Sequence, residues 1–334
     1  MTVKEKNKIT YEYFGLSILV ILAHSTNNDT IFEKFFSSSG IGQFAPVLFF
    51  ILSGFLFFRN VENIYDVQRK LKKRIWTLLI PYLLWNLIYY AIRLIMTPGQ
   101  GINLYTIYDA AFNYTANPAF WFIYQLILLN VLSILFIYIL KEKKYIIAFY
   151  VVLILLVIFA IDIPYINEDA IIYYFSGAVF SKLYNSGKVL FISKKNFFIM
   201  LIISICLFAI NRCLYKIIQY GLYYNEYILS VIMLRLSFAL TIFYFLDIIF
   251  SYEKTYKFME NTFFLYAIHY MIVRFLVKIS QILTYKVLPY FVALPLEIIF
   301  FIMSPIICVI ISYYLSNYMK KRFFKIYNVL TGRR

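Results

Sequence analysis

Long apolar segments, separated by short polar connections, recur along the whole chain. Each segment is apolar around every face of a helix, and none shows the period-two alternation of a membrane-spanning strand. A membrane-spanning helix needs about 20 mostly apolar residues. The pattern therefore predicts about ten transmembrane helices, over residues 10–27, 41–58, 75–96, 119–140, 145–161, 170–184, 196–214, 226–250, 262–283 and 291–318.

These segments predict an all-α fold, a polytopic bundle of membrane helices that forms a single domain over residues 1–334. No connection is long enough to fold as a separate domain, and the sequence shows no convincing internal repeat. Many secondary transporters carry paired repeats with broken helices at corresponding positions. The sequence does not follow that plan.

Composition and charge agree with membrane insertion and predict an orientation. Hydrophobic residues make up 63% of the chain and charged residues 14%, whereas soluble domains carry about 25% charged residues. The formal net charge is +16, which in a soluble chain would suggest nucleic acid. Here, however, 24 of the 32 Lys and Arg residues fall in connections on one side of the predicted bundle. Cytoplasmic connections carry such an excess, so both termini are predicted to be cytoplasmic and no nucleic-acid partner is expected.

The chain contains two histidines, His24 near the outer end of the first predicted span and His269 within the ninth. Ionisable groups are costly in lipid, so each histidine marks either a packed polar contact or a function. His24 could bond to loop backbone, and His269 could bond across helices. Neither has a cysteine or carboxylate at ligand spacing, so no metal site is predicted.

Four basic residues are assigned to the predicted spans, namely Arg93, Arg235, Arg274 and Lys278, while Lys182 and Arg212, each two residues from a span end, are assigned to the connections. Asp247 and Glu297 are the only carboxylates well inside the spans, which favours a phosphate or carboxylate ligand near these cations. The alternative is that cations near helix ends extend to the membrane surface. Arg235, roughly 13 Å into its span, lies too deep for that explanation.

A basic run at residues 69–74 directly precedes the third predicted span. Such a run binds either the anionic lipid surface or the phosphates of a nucleotide-bearing donor. The sequence contains no P-loop, no glycine-rich dinucleotide fingerprint and no nucleophile elbow. Nucleotide hydrolysis, hydride transfer and serine-hydrolase chemistry are therefore not expected.

Four segments, taken in order, carry a family resemblance. Residues 18–25 read ILVILAHS, 48–55 read LFFILSGF, 74–85 read RIWTLLIPYLLW and 263–270 read FFLYAIHY. Together with Phe120-Trp121-Phe122 at the start of the fourth span, they resemble the acyltransferase 3 family of bacterial membrane acyltransferases. The resemblance covers nearly the whole chain, and FFILSGF after a first-span histidine is its most specific part.

That family moves an acyl group, usually acetyl, from a cytoplasmic acyl-CoA to carbohydrates of the cell envelope. The resemblance implies a multi-pass O-acetyltransferase of the bacterial cytoplasmic membrane. Acetyl-CoA is the implied donor, with no permanently bound cofactor. The implied acceptor is a hydroxyl of a surface polysaccharide, such as capsule, or of its lipid-linked precursor.

The resemblance also assigns roles to individual residues. His24 matches the catalytic histidine of the first span, and Arg74 matches the first arginine of a pair before the third span; Arg74, with Lys73, is assigned to the donor. An imidazole can deprotonate a sugar hydroxyl or relay the acyl group, while basic residues hold the CoA phosphates. Tyr13 and Thr77 stand where the family often has further arginines.

Weaker candidates for lining the site are Arg235, Trp121, His269 and Ser53. Trp121 can stack on a sugar ring, although aromatic residues at span ends also form interfacial belts. Ser53-Gly54 is typical of a close contact between helices.

A different function class stays open at this point. A transporter or flippase for a surface polysaccharide or lipid-linked glycan would also place arginines and aromatic residues along a path through the membrane. Within the enzyme class, succinyl transfer is an alternative to acetyl transfer. The predicted position of His24 toward the outer side, opposite a cytoplasmic donor, implies a site reached through the membrane or a re-entrant segment.

Overall fold

The computed structural model describes residues 2–26, 42, 44–97, 102–185, 194–218, 224–286 and 290–333. These residues form helices and no strand. The helices are α1 (Val3–His24), α2 (Phe44–Phe58), α3 (Ile64–Arg74), α4 (Ile80–Met96), α5 (Leu104–Phe112), α6 (Trp121–Ile139), α7 (Lys143–Ile158), α8 (Glu168–Asn185), α9 (Lys194–Ile218), α10 (Tyr224–Ile249), α11 (Thr262–Lys286), α12 (Tyr290–Arg322) and α13 (Phe324–Leu330). A π-helical turn, Ile75–Leu79, joins α3 to α4, and short 3₁₀ turns precede α6 and α11.

The all-helical, multi-pass architecture predicted from the apolar segments is confirmed. Six helical stretches within the described residues are long and apolar enough to cross a membrane: Ile64–Met96, Pro118–Ile139, Phe197–Ile218, Tyr224–Ile249, Thr262–Leu283 and Pro295–Arg322. Each of the ten predicted spans coincides at least in part with a helix. The number of spans and the cytoplasmic termini stay predictions.

Three helices lie outside the predicted spans: α3, which continues through the π-helical turn into α4, and the separate short helices α5 and α13. Both α5 and α13 are short, with 9 and 7 residues, and both pack beside α4. A capping box at Asn103 begins α5, because its side chain accepts from the Thr106 N–H while the Thr106 hydroxyl accepts from the Asn103 N–H. Neither helix is long enough to span a membrane, which is why a search for long apolar segments does not find them.

The chain forms two compact units, and the prediction of a single domain is neither confirmed nor contradicted by this division. The first unit comprises Met1–Gln43, Lys72–Tyr124 and Tyr252–Arg334. The second comprises Phe44–Leu71 and Gln125–Ser251.

In the second unit, α2 and α8 pack backbone against backbone at two glycines. A Cβ atom at Gly54 would lie 2.0 Å from the carbonyl oxygen of Tyr174, and one at Gly177 would lie 2.0 Å from that of Ile51. Only a residue without a side chain permits such an approach, so the close helix contact predicted at Ser53-Gly54 is confirmed.

In the first unit, α1 and α11 run side by side in the same direction. The Asn7 side-chain amide donates to the carbonyls of Tyr252 and Glu253 just before α11, at 2.9 and 3.1 Å. Further along, Phe14 contacts Phe258 with ring centroids 5.4 Å apart. The last residue of α1, His24, therefore reaches the level of the second turn of α11.

The C-terminal helix α13 closes the same end of this unit. Asn261 Oδ1 accepts from Lys320 Nζ at 2.8 Å and from the Tyr327 hydroxyl at 2.9 Å, and Trp85 donates to the Leu330 carbonyl. Burial raises the pKa of Tyr327 to about 12, so it remains a neutral donor. We call this end of the first unit the basic end. It carries Lys4, Lys6, Lys8, Lys72, Lys73, Arg74, Lys254, Lys257, Lys320, Lys321, Arg322, Lys325 and Arg333.

Candidate active site

The two histidines of the chain lie against each other, although 245 positions separate them. The ring centroids of His24 and His269 are 5.5 Å apart, and Tyr270 contacts the His24 ring edge-on at 5.5 Å. His24 ends α1, because the next residue, Ser25, turns back and donates its N–H to the Leu22 carbonyl. His24 is half-buried, whereas His269 is completely buried.

Hydrogen bonding sets the tautomer of His269. Its Nδ1 lies 2.5 Å from the carbonyl oxygen of Tyr266, and a carbonyl only accepts, so Nδ1 is assigned the proton. Nε2 then carries a lone pair, and this buried atom has no hydrogen-bond partner among the residues that the structure describes. A buried acceptor without a partner is unfavourable in a packed interior, so Nε2 is suited to a donor from a substrate or from His24.

An aromatic wall extends from the histidines toward the start of α6. The Tyr266 ring lies 5.3 Å from His269 and stacks on Phe120 at 6.0 Å. Phe122 contacts Tyr266 at 6.2 Å, and Trp121 contacts Phe122 at 6.4 Å. Three successive ring contacts, through Phe122 and Tyr266, therefore connect Trp121 to His269.

The chain before this wall folds back along α4. Asn86 donates to the Ala111 carbonyl and Tyr90 pairs with Thr106, so α5 descends beside α4. The Tyr266 hydroxyl then holds the Ala119 carbonyl. The segment between α4 and α6 thereby lies at the level of the histidines.

Tyr89 bridges the backbone of α11 beside His269. Its hydroxyl donates to the Ala267 carbonyl at 2.9 Å and accepts from the Met271 N–H at 3.3 Å. An uninterrupted helix joins this carbonyl and this N–H directly, so the hydroxyl is inserted into the hydrogen-bond ladder. The insertion fixes the turn of α11 that carries His269.

A cation stands next to the histidine pair. Arg274 is exposed and near enough to His24 for its charge to act on the imidazole. Lys278, also exposed, lies one turn further along α11 on the same face. Neither forms an ion pair with any residue in the described part of the chain.

The residues assigned to the donor lie at the basic end. Arg74 is half-buried at the last position of α3, directly before the π-helical turn, and Lys73 is exposed. Tyr89 follows Arg74 by fifteen residues, so the histidine level lies about 22 Å away along the helix axis. The structure therefore does not bring Arg74 and Lys73 to His24.

The C-terminal segment covers the residues that follow Arg74. Gly332 has φ +69°, and a Cβ there would lie 2.5 Å from the Thr77 carbonyl oxygen. The next residue, Arg333, places its guanidinium 4.9 Å from the Trp76 ring. The basic end thus presents an arginine beside Thr77, the position where the family often has one. Arg333 lies far from Thr77 in the sequence, so no local motif contains both residues.

Two of the weaker candidates lie in the second unit. Arg235 pairs with Asp169 at 3.3 Å, and both side chains are partly exposed. The expectation that the intramembrane cations lacked enough carboxylates was wrong for Arg235, because Asp169 stands just before the sixth predicted span and was left out of the count. Ser53 is buried beside Gly54 in the α2–α8 contact.

Comparison with known protein families identifies the class to which the chain is similar. A family model described as an acyltransferase domain matches residues 15–316. The match includes His24, Arg74, Trp121 and His269. No curated protein and no solved structure is significantly similar to the chain.

Proposed function

The chain belongs to the acyltransferase 3 family and is a membrane acyltransferase, and from this premise we propose that it transfers an acetyl group from acetyl-CoA to a hydroxyl of a cell-surface polysaccharide or of its lipid-linked precursor. The observation that carries this proposal is the contact between His24 and His269. It supplies a half-buried imidazole for the chemistry and a completely buried one to support it. The proposal places the enzyme in the cytoplasmic membrane of a bacterium.

In the proposed reaction, His24 is the catalytic base. One ring nitrogen accepts the proton of the acceptor hydroxyl while the hydroxyl oxygen attacks the thioester carbonyl carbon. A carbon–oxygen bond forms, the carbon–sulfur bond breaks, and the proton passes to the departing CoA thiolate. Positioned bases contribute about 10²–10⁴-fold to such transfers. The free Nε2 of His269 supports this role, since it can accept an N–H from His24 and orient the ring.

The donor is proposed to bind at the basic end. Arg74, Lys73 and Arg333 offer cations for the CoA phosphates, and guanidinium groups bind phosphate through paired hydrogen bonds. CoA carries its phosphates and its thioester at opposite ends of a long, flexible arm. The separation of about 22 Å between Arg74 and the histidine level then corresponds to the arm, with the thioester at His24.

The acceptor is proposed to lie along the aromatic wall. Trp121, half-buried at the start of α6, offers a face on which a sugar ring can stack. An acetyl group is the expected acyl group, and a succinyl group would need a further cation beside His24. Arg274 is the residue placed to provide one.

The test is NMR spectroscopy of the surface polysaccharide from cells that carry the wild-type protein, a deletion or His24→Ala, at matched expression. We expect O-acetyl proton signals in the wild type and their loss in both variants, with polymer still on the surface. Leu19→Val, a conservative change five residues earlier on α1, is the matched control and should keep the signals. Persistent acylation with polymer trapped inside the cell would replace the proposal with an exporter. Succinyl signals would keep the enzyme and change the donor.

A further inference from the structure

Three tyrosines beside the histidine pair differ in what their hydroxyls bind. The hydroxyls of Tyr89 and Tyr266 each donate to a backbone carbonyl, so their protons are already committed. The third tyrosine is Tyr270, whose ring contacts that of His24 edge-on at 5.5 Å. Its hydroxyl forms no hydrogen bond within the described part of the chain. The proton of this hydroxyl is therefore available to a ligand.

Tyr270 marks the open side of His24. It directly follows His269, and successive residues of a helix point about 100° apart. The His24 ring contacts both residues, so it lies between two faces of α11. The face at His269 is completely buried, whereas Tyr270 is half-buried. A substrate therefore approaches His24 from the side of Tyr270.

Arg274 borders the same open side. It follows Tyr270 by four residues, which places both on one face of α11, and it is exposed. Helical side chains lean toward the N-terminus of their helix, which favours a guanidinium over the turn that carries Tyr270. The charge of Arg274 also acts on the His24 imidazole. The open side of His24 thus offers a hydroxyl proton and a cation.

Acyl transfer at His24 requires a hydrogen-bond donor on this side. When the acceptor oxygen attacks the thioester carbonyl carbon, the carbonyl double bond becomes a single bond and its oxygen takes a negative charge. Fixed donors stabilise such an oxyanion, and tyrosine hydroxyls are among the groups that do so. The histidines do not supply this donor, because the proton taken up by His24 goes to the departing thiolate and His269 Nδ1 donates to the Tyr266 carbonyl.

We propose that Tyr270 is a further catalytic residue, whose hydroxyl donates a hydrogen bond to the thioester carbonyl oxygen as it becomes an oxyanion, and that Arg274 stabilises the same charge. This inference rests on the proposed function and adds the groups that stabilise its tetrahedral intermediate. Tyr270 keeps its proton throughout, and collapse of the intermediate restores the carbonyl double bond and expels the CoA thiolate. His269 then orients His24 from the buried side, while Tyr270 meets the substrate on the open side.

The experiment measures the binding of two donor analogues to the full-length protein in detergent by isothermal titration calorimetry. Acetonyl-CoA carries a planar ketone, whereas the ketone of trifluoroacetonyl-CoA adds water to form a tetrahedral diol that resembles the intermediate. Transition-state analogues bind about 10²-fold or more tightly than substrates. We therefore expect the wild type to prefer trifluoroacetonyl-CoA about a hundredfold.

Tyr270→Phe removes the hydroxyl and keeps the ring. One oxyanion donor contributes about 10²–10³-fold to turnover, so this variant should lose most of the preference, with little change in its affinity for acetonyl-CoA. The kcat of acetyl transfer should fall about a hundredfold at constant KM for acetyl-CoA. Tyr313→Phe is the matched control and should keep the preference. Tyr313 is a half-buried tyrosine of α12 whose hydroxyl has no hydrogen bond to a described residue.

Variants of Arg274 test the second group. Arg274→Met should lower the preference for trifluoroacetonyl-CoA about tenfold, less than Tyr270→Phe does, because water screens an exposed charge. Arg274→Lys keeps the charge and should retain most of the preference. Lys278→Met is the matched control, since it removes an exposed cation about 12 Å from Tyr270 along the axis of α11.

The outcomes separate this role from the proposed function, because neither analogue needs an acceptor. An unchanged preference in Tyr270→Phe, together with His24-dependent O-acetyl signals in cells, would overturn the oxyanion role and keep the proposed function. Equal losses in Tyr270→Phe and Tyr313→Phe would also overturn it, as would a wild type without any preference. A preference that depends on Tyr270, in a protein that yields no O-acetyl signals in cells, would keep the oxyanion site and reject the proposed acceptor.

Discussion

Two helix contacts, one in each unit, differ in the side chains that form them. The α2–α8 contact is made by Gly54 and Gly177, which let two backbones touch. The α1–α11 contact includes His24 and His269, both of them ionisable. Lipid provides little driving force for helix association, so close packing of small residues holds the first pair. The second pair places costly polar groups in contact, which is typical of a functional site.

The largest effect is expected from breaking the glycine contact. Gly54→Val would place side-chain atoms on the Tyr174 carbonyl oxygen, which already lies 2.0 Å from a built Cβ. The helices must separate, which costs about 3 kcal/mol, the upper end of the usual range for an overpacked core. We expect loss of the folded, monodisperse protein in detergent, measured by size-exclusion chromatography and thermal unfolding.

Gly15→Ala in α1 is the matched control for that experiment. Among the residues that the structure describes, no atom lies within 4 Å of a Cβ placed at Gly15, and alanine favours a helix over glycine by about 1 kcal/mol. This variant should unfold at the wild-type temperature or slightly above it. An equally stable Gly54→Val protein would show that α2 and α8 do not need the close approach.

Sequence reasoning predicted helix contacts such as this one better than it predicted the site. Apolar length identified the long helices, because the membrane sets that length, but it missed α3, α5 and α13, each of which is too short to span a membrane by itself. The two small residues Ser53-Gly54 were sufficient to predict a close helix contact, because that pattern is local in the sequence. The pairing of His24 with His269 depends on which helices become neighbours, and no local pattern records that. Asp169 was missed because it stands one residue outside a predicted span.

The next effect in size concerns the buried member of the histidine pair. His269→Phe keeps the ring and removes both nitrogens, so His24 loses the acceptor that we propose to orient it. Removing a group that orients a catalytic residue typically costs about 10–100-fold in activity. We expect the kcat of acetyl transfer to fall by this factor while the KM for acetyl-CoA stays constant, because the donor phosphates bind elsewhere.

His269→Asn separates orientation from packing in that comparison. Its amide can still donate to the Tyr266 carbonyl, as Nδ1 does now, but it offers no imidazole acceptor. We expect wild-type thermal stability with a lowered kcat. A kcat equal to that of the wild type would remove His269 from the reaction and leave it a packing residue of α11.

The smallest effect is expected at the basic end, where binding and not chemistry is at stake. Arg74→Gln removes a cation that we assign to the CoA phosphates, and a hydrogen bond to a charged group contributes about 1.5–3 kcal/mol. Exposure to water reduces this contribution, so we expect a rise of about tenfold in the KM for acetyl-CoA with an unchanged kcat.

Lys325→Gln, which removes an exposed cation from α13 at the same end, is the matched control and should leave both constants unchanged. An equal rise in KM in both variants would mean that the donor responds to the total charge of the basic end. A rise confined to Arg74→Gln, repeated to a lesser degree in Arg333→Gln, would place the phosphates at the turn between α3 and α4, where the C-terminal segment brings Arg333 over Trp76.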